Sequence, residues 1–187
     1  MRIISGFHKG KKLLQPLDKT TRPLRDLVKE SIFNLVKHSN YIVKRIENSE
    51  ILDLFSGSGS FGLECISRGA KNVTFVENYS NVLDILKKNI YLLKEEKKST
   101  IIKDDCFEYF NTEKKFFNTY DLIFMDPPYR ETKINNILEV IKKKRILSKN
   151  GTIIIHRHKK DNIDINKEFK ILDTRTYGIS KIFIINY

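Results

Sequence analysis

The sequence predicts an α/β fold with a mostly parallel, doubly wound sheet and helices on both of its faces. Between residues 51 and 156, short apolar segments alternate with longer segments whose apolar residues recur at helical spacing. Strands that alternate with helices are joined by crossovers, which leave the strands parallel. The last two apolar segments are separated only by Tyr177-Gly178, and this short connection predicts a final antiparallel pair.

Seven strands are expected in this sheet. The predicted strands are 51–55, 72–77, 100–103, 121–125, 152–156, 169–173 and 180–186. The predicted helices include 62–68, 82–93, a short turn at 107–110, and 133–144. Open α/β sheets bind ligands at the carboxyl ends of their strands, so the residues that follow each strand are the first candidates for a functional site.

Residues 1–46 are expected to form a basic extension in front of a main domain that covers 47–187. Two short strands around Gly6 and Gly10 predict a hairpin, and Thr21 followed by Pro23 predicts the start of a helix. The extension carries eleven Lys and Arg against three Asp and Glu, a net charge of +8. Arg22, Arg25 and Lys29 are expected on one face of the helix, which is either a phosphate-binding or an ordinary solvated face.

A net charge of +12 favours a polyanionic partner, although a chain rich in Lys, Ile and Asn is basic without any such partner. The candidate nucleic-acid contacts are Arg2, His8, Lys9, Lys11, Lys12, Arg22 and Arg25.

Cys65 and Cys106 are far apart and outside any Cys-x-x-Cys pair, so a reduced, cytoplasmic setting without a zinc site is expected. No apolar run is long enough to span a membrane, and residues 1–12 lack the apolar core of a signal peptide.

A glycine-rich loop, Asp53-Leu54-Phe55-Ser56-Gly57-Ser58-Gly59, connects the first predicted strand to the following helix. Gly57, Gly59 and Gly62 satisfy the G-x-G-x-x-G pattern of dinucleotide-binding proteins, and Glu77 at the end of the next strand suits a ribose diol. Asp53 favours a different ligand, because a carboxylate attracts an ammonium group and repels a pyrophosphate. The alternative for Asp53 and Asp105 is that they merely cap the loop and a helix.

Another notable stretch is Asp126-Pro127-Pro128-Tyr129, which follows the apolar segment 121–125. Each proline fixes its own φ and biases the preceding residue towards extended conformations. A carboxylate, stiff main-chain carbonyls and an aromatic ring therefore emerge together at the end of a buried strand. This tetrapeptide is either a rigid turn or a reaction centre.

The glycine loop together with Asp126–Tyr129 resembles the S-adenosylmethionine-dependent amino-methyltransferases. Further stretches are similar to bacterial 16S ribosomal RNA guanine-N2 methyltransferases, the RsmD family. These stretches are Arg2–Gly6, Lys9–Leu13, Arg22-Pro23, Phe33-Asn34, Gly62–Glu64, Ser67–Ala70 and Tyr177-Gly178. The resemblance covers nearly the whole chain and implies a Rossmann-like class I methyltransferase fold.

The resemblance also implies a site. Asp126, Pro127, Pro128 and Tyr129 would be catalytic, with Asp126 and the Pro127 carbonyl accepting hydrogen bonds from an exocyclic amine and Tyr129 stacking on the base. S-adenosyl-L-methionine would be bound by Asp53, Phe55, Gly57, Ser58, Gly59, Glu77, Asn78, Asp105 and Cys106. The implied substrate is guanosine 966 of 16S rRNA within a partly assembled small subunit, with no metal and a monomeric enzyme.

Two positions depart from the family pattern. Leu24 stands where a small hydroxyl residue usually follows Arg-Pro, and His156 replaces an acidic residue at the end of the fifth strand. His156 and His158 are both interpreted as structural or solvent-facing.

Several other functions remain open. Adenine-N6 methylation of DNA or RNA needs the same pair of acceptors, whereas protein glutamine methyltransferases usually begin the motif with Asn. The hypothesis of a nicotinamide-dependent oxidoreductase is supported by the glycine pattern alone. A catalytically silent RNA-binding or assembly factor would use the basic extension without transferring a methyl group.

Overall fold

The computed structural model describes residues 1–16, 24–110, 119–128, 131–161 and 163–187. Thr21, Arg22, Pro23 and Tyr129, which carry parts of the predictions above, lie outside the described residues.

Seven strands form a single sheet in the order β3-β2-β1-β4-β5-β7-β6. They are β1 (Glu50–Leu54), β2 (Asn72–Glu77), β3 (Ser99–Lys103), β4 (Tyr120–Met125), β5 (Leu147–His158), β6 (Lys170–Tyr177) and β7 (Ser180–Asn186). The first five strands pair in parallel, and β7 is antiparallel to both β5 and β6. The predicted fold class is confirmed, including its final antiparallel pair.

Helices cover both faces of the sheet. They are α1 (Asp26–His38), α2 (Ser60–Ser67), α3 (Ser80–Leu93), α4 (Cys106–Tyr109) and α5 (Ile134–Lys143), with a 3₁₀ turn at Glu96–Lys98. Alternate residues of β1 illustrate the two sides, because Ile51 packs into the core beneath α1, α2 and α3, whereas Leu52 packs into the core beneath α4 and α5. Such strands, buried on both faces, read as continuous apolar runs. None of the described helices has the length and apolar character needed to cross a bilayer.

β5 begins earlier than the sequence predicted. The strand was expected from residue 152, after the helix region and Asn150-Gly151, but it starts at Leu147. Its pairing with β4 shifts register between Tyr120 and Leu122, so an irregularity accommodates the glycine and its neighbours inside the strand. Asn150 has a φ of 63°, a left-handed conformation that asparagine tolerates.

The N-terminal arm (described residues 1–16 and 24–46) differs from its prediction in two respects. Where two strands were expected, the hairpin has one antiparallel bridge, between Arg2 and Lys12, and backbone hydrogen bonds from Ile3 to Lys11 and from Gly10 to Ile3. The helix begins at Asp26, with Arg25 in the extended conformation of an N-cap and no capping side chain. Leu24 and Arg25 precede the helix, and the predicted start at Thr21 lies outside the described residues.

A buried carboxylate joins the arm to the rest of the fold. Glu64 of α2 accepts hydrogen bonds from the backbone N–H of Ile4 at 2.7 Å and of Ser5 at 2.9 Å. Its second set of partners is cationic, with Arg68 Nε at 2.8 Å and Lys29 Nζ at 3.7 Å. Glu64 and Lys29 have no exposed surface. The expectation that Lys29 lies on a phosphate-binding or solvated face is wrong, because its ammonium group is sealed between α1, α2 and the hairpin.

Main-chain contacts fix the hairpin further. Phe7 N–H donates to the Ser67 carbonyl at 2.7 Å, and His8 N–H donates to Ser67 Oγ at 2.9 Å. Gly6 has a φ of 82°, and a Cβ atom there would lie 1.8 Å from the Ser67 carbonyl oxygen. Only glycine permits this approach, so the hairpin is docked by its backbone on the end of α2.

Stacked aromatic rings connect α1 of the arm to the sheet through α2. Phe33 of α1 stacks on Phe61 of α2 with ring centroids 5.0 Å apart, and Phe61 stacks on Phe124 of β4 at 3.9 Å. The arm therefore shares one hydrophobic core with the strand that leads into Asp126.

Candidate active site

A cleft of about 960 Å³ opens at the carboxyl ends of the central parallel strands. Its lining includes Asp53, Phe55, Ser58, Glu77, Asp126, Pro127, Pro128 and His156. Residues from the glycine loop and from the Asp-Pro-Pro segment therefore share one cavity, although more than 60 residues separate them along the chain. Parallel pairing of β1 with both β2 and β4 brings these loops together at the same edge of the sheet.

The glycine loop turns sharply from β1 into α2. Phe55, Gly57 and Gly59 all have positive φ values, of 57°, 54° and 83°. Gly59 is the N-cap of α2, and a Cβ atom there would lie 2.5 Å from a methyl group of Leu86. The loop can therefore pass close to a ligand on one side while it packs against α3 on the other.

Glu77 at the end of β2 holds this loop in place. Its Oε2 accepts from Gly57 N–H at 2.8 Å, and its Oε1 accepts from the N–H groups of Asn78 at 3.0 Å and Tyr79 at 2.9 Å. Each carboxylate oxygen has two acceptor sites, so Oε2 retains one that no described residue occupies.

Asp53 at the end of β1 is buried, with 1% of its surface exposed. Its Oδ2 accepts from the Gly62 backbone N–H at 2.9 Å, in the first turn of α2. The carboxylate therefore does cap the loop and helix, as the alternative interpretation held. Its Oδ1 receives no hydrogen bond from the described residues, which leaves one oxygen for a ligand.

The cleft concentrates negative charge. Burial raises the pKa of Asp53 well above its usual range, and the neighbouring carboxylates of Asp126 and Glu77 raise it further. The Gly62 N–H acts in the opposite sense. In the described part of the chain neither Asp53 nor Glu77 forms an ion pair with Lys or Arg, and no group of three side chains is arranged as a metal site. This chemistry fits a ligand that carries its own positive charge.

Asp126 lies beside His156, and this contact was not predicted. Asp126 Oδ1 and His156 Nδ1 are 2.8 Å apart, and both side chains are largely buried. Among the described residues nothing donates to Asp126 Oδ2 or to the Pro127 carbonyl. Asp126 and Pro127 both line the cleft, so the segment stiffened by two prolines carries two acceptors that the described residues leave unoccupied.

Arg157 fixes the backbone that follows. Its guanidinium donates to the Pro128 carbonyl at 3.1 Å and to the Glu131 carbonyl at 3.0 Å, and it pairs with Asp161 at 3.1 Å. Only 5% of Arg157 is exposed. The β5 end therefore supports the Asp-Pro-Pro segment through two consecutive residues, His156 and Arg157.

Three other predicted ligand residues have partners within the protein. Asp105 is the N-cap of α4, where its Oδ1 accepts from Phe107 N–H at 2.8 Å, while its Oδ2 accepts from Asn78 at 2.9 Å. The buried Cys106 thiol lies 3.2 Å from the Phe55 N–H. Burial raises the pKa of Cys106, so it remains a neutral thiol that supports the glycine loop.

The predicted nucleic-acid residues divide into two groups. Arg2, Lys9, Lys11, Lys12 and Arg25 are exposed, and Arg25 also lines the cleft. His8 is buried, with its Nε2 2.7 Å from Glu95 Oε1. The expectation that His8 contacts RNA is not supported, because its ring fastens the hairpin to the segment after α3.

Sequence reasoning missed Phe7, which is 90% exposed at the turn of the hairpin. Its position two residues from Lys9 was the available signal, because an aromatic residue within a basic turn is typical of nucleic-acid surfaces. For the contact of His156 with Asp126 no local signal existed. It arises from the pairing of β4 with β5.

The chain matches a protein-family model over residues 1–186, and that family is described as "Conserved hypothetical protein 95". The ribosomal RNA small subunit methyltransferase D of Haemophilus influenzae is 31% identical over 180 residues, 96% of this chain and 90% of that protein. Among solved structures, HI0767 of Haemophilus influenzae is 30% identical and superposes with a TM-score of 0.78, covering 98% of this chain and 96% of its own.

A more distant structure, SMU.776, was solved in complex with SAH (S-adenosylhomocysteine). It is 19% identical with a TM-score of 0.62, over 84% of this chain and 48% of that chain, a likeness of fold. The fold of the present chain is that of a Rossmann-like class I methyltransferase. Because the family model and the Haemophilus relative both extend over almost all of its length, the chain belongs to the RsmD family of methyltransferases.

Proposed function

We propose that the protein transfers a methyl group from S-adenosyl-L-methionine to the exocyclic N2 of a guanine in 16S rRNA. The substrate would be guanosine 966 in a partly assembled small subunit, and the enzyme would act as a cytoplasmic monomer. The observation that carries the proposal is the pair of unoccupied acceptors, Asp126 Oδ2 and the Pro127 carbonyl, at the edge of a cleft lined with carboxylates.

The cleft suits S-adenosylmethionine because that molecule brings an ammonium and a sulfonium charge. Asp53 would hold the ammonium group with Oδ1, and Glu77 would accept a ribose hydroxyl with Oε2. Asn78, Asp105 and the Cys106 main chain would recognise the adenine. When bound, S-adenosylmethionine supplies a methyl group on a good leaving group.

The residues of the Asp-Pro-Pro segment would prepare the nucleophile. An exocyclic amine is a weak nucleophile because its lone pair is delocalised into the base. Asp126 and the Pro127 carbonyl would each accept one N–H, which favours a pyramidal nitrogen with its lone pair directed at the reacting carbon. Asp126 also stabilises the positive charge that develops on nitrogen. Preorganised acceptors and proximity account for the acceleration, without a covalent enzyme intermediate.

The N-terminal arm would bind the RNA and present the base. Its exposed Arg2, Lys9, Lys11 and Lys12 suit phosphate groups, and the ring of Phe7 can stack on an unpaired base. The target nucleotide must leave its stack to reach the cleft. The proposed division is residues 1–46 for RNA binding and 47–187 for methyl transfer, with the rRNA substrate supported by the name of the Haemophilus relative.

The test uses Asp126→Ala with labelled S-adenosylmethionine and immature small subunits. We expect transfer to fall at least about a thousandfold, because one fixed acceptor and its charge are lost. The affinity for S-adenosylhomocysteine, measured by calorimetry, should stay within about threefold of wild type, since Asp53 and Glu77 remain.

Mapping the methylated nucleoside decides between the substrates. N2-methylguanosine in 16S rRNA supports the proposal, whereas N6-methyladenosine supports the alternative of adenine methylation. Retained turnover by Asp126→Ala contradicts the catalytic assignment. Parallel titrations with S-adenosylhomocysteine and NADH test the oxidoreductase alternative, and binding of rRNA without transfer would indicate an assembly factor.

A further inference from the structure

His156 lies next to Asp126 because of how β4 and β5 pair. Met125 and Ile155 are register partners in the parallel ladder, so the next residue of each strand emerges at the same carboxyl edge. There, His156 Nδ1 is 2.8 Å from Asp126 Oδ1. The side chains retain only 18% and 25% of their accessible surface. This contact is therefore built into the sheet and is not an incidental surface pair.

The atoms involved assign a direction to the hydrogen bond. An ionised carboxylate can only accept, so the proton of this bond belongs to His156 Nδ1. The bond occupies Oδ1 and fixes the rotation of the carboxylate about its last torsion. Oδ2 is then the carboxylate oxygen that receives no hydrogen bond from the described residues, and both Asp126 and Pro127 line the cleft.

The groups around Asp126 show which of them can donate a hydrogen bond to its carboxylate. Asp53, on the neighbouring strand, interacts repulsively with Asp126. Arg157, the next residue of β5, is engaged elsewhere, because it binds the Pro128 and Glu131 carbonyls and pairs with Asp161. Among the described residues, His156 is thus the group that donates a hydrogen bond to the Asp126 side chain.

We propose that His156 is a positioning residue for methyl transfer, which orients Asp126 so that Oδ2 receives the substrate amine. The proposal rests on the function proposed above, and it adds a residue that acts through Asp126 without touching the reacting atoms. It predicts a loss in kcat without a loss of cofactor affinity, because a misoriented acceptor weakens the transition state and leaves Asp53 and Glu77 unchanged.

Two substitutions separate orientation from simple packing. His156→Asn places an amide Nδ2 donor near the position of the imidazole Nδ1, and it should keep kcat within about threefold of wild type. His156→Phe keeps a planar ring but has no donor, and kcat should fall about 10- to 100-fold, as expected when a hydrogen bond to a charged group is lost. Tyr91→Phe, at an exposed position of α3 outside both the cleft lining and the N-terminal arm, is the control and should leave kcat unchanged.

Single-turnover methylation of immature subunits, calorimetry with S-adenosylhomocysteine and thermal melting are measured for every variant. The inference is supported if His156→Phe loses kcat at wild-type affinity and melting temperature while His156→Asn retains it. It is overturned if His156→Phe turns over like wild type, or if both variants are impaired equally. Wild-type protein that transfers no methyl group would contradict the proposed function itself, and would overturn this inference with it.

Discussion

Two buried carboxylates hold loops in this protein, and their surroundings differ. Glu64 anchors the N-terminal hairpin with two backbone N–H groups and two cations, Arg68 and Lys29. Asp53 anchors the glycine loop with one backbone N–H, and its remaining neighbours are the carboxylates of Glu77 and Asp126.

The difference separates structural anchors from ligand-binding ones. Charges buried in a protein are normally paired, because an unpaired one loses its hydration without compensation. Glu64 satisfies this rule within the chain, so its site is complete. Asp53 has no such partner among the described residues, and under the proposed function a cationic ligand would supply one. In that proposal one carboxylate serves the fold and the other serves the ligand.

The largest effect is expected on the free energy of unfolding, when Glu64 is replaced. Glu64→Gln removes the buried carboxylate partner of Lys29 and leaves its ammonium group only the partly exposed Asp26, at 3.8 Å. Breaking a buried pair in this way costs about 3 to 5 kcal/mol. The free energy of unfolding, measured by urea denaturation, should fall by about that amount. Glu50→Gln removes a half-exposed partner of Lys71 and should cost less than about 1 kcal/mol. Equal losses in the two variants would show that Glu64 is not an anchor.

At Asp53, one substitution should raise or preserve the stability of the ligand-free protein while it lowers the affinity for the ligand. Asp53→Asn keeps an oxygen for the Gly62 N–H and removes the charge that repels Asp126 and Glu77. The ligand-free protein should melt at the same or a higher temperature. Its affinity for S-adenosylhomocysteine should fall about 10- to 100-fold, because a charge-assisted hydrogen bond to the ammonium group is lost. Unchanged affinity would contradict the role of Asp53.

The pH dependence of this variant has a definite sign. Because the pKa of Asp53 in the folded protein lies above its value of about 4 in the unfolded chain, its contribution to stability is present below pH 4. This contribution is lost as the pH rises through the folded pKa, so the ligand-free protein should be less stable above that pKa than below pH 4. Wild-type affinity for the ligand should weaken as the pH falls towards that pKa, whereas the Asp53→Asn variant should lack this dependence.

Much of the fold could be predicted from the sequence, because its strongest signals are local. Strands buried on both faces are continuous apolar runs, and the bounds of β2 and β7 agree with the prediction to the residue. The cleft residues Asp53, Glu77 and Asp126 could also be predicted, since Asp53 and Glu77 lie near the ends of such runs and Asp126 directly follows one. Topology then brings strand ends to a common edge without further information.

What sequence could not reveal depends on partners far away in the chain. Lys29 looked solvated because helical spacing places it off the apolar stripe, yet Arg2 and Glu64 bury its ammonium group from outside the helix. His8 looked like a phosphate contact until Glu95 was brought beside it. The contact of His156 with Asp126, across the pairing of β4 with β5, was likewise not evident from the sequence. Each of these contacts involves a charged or polar group whose environment is made by tertiary structure.

The smallest effect is expected on the outer side of the N-terminal arm, where charges are exposed and no buried anchor is disturbed. Replacing both Lys9 and Lys11 by Gln should weaken RNA binding about tenfold at low salt. It should also make the dependence of log affinity on log salt shallower by about 2, since each lost phosphate contact removes about one released counterion. Affinity for S-adenosylhomocysteine and the melting temperature should not change.

The control replaces Lys142 and Lys143 at the end of α5, an equal loss of charge at a distance from the hairpin. If both pairs change the salt dependence equally, the arm has no special part in RNA binding, and only net charge attracts the RNA.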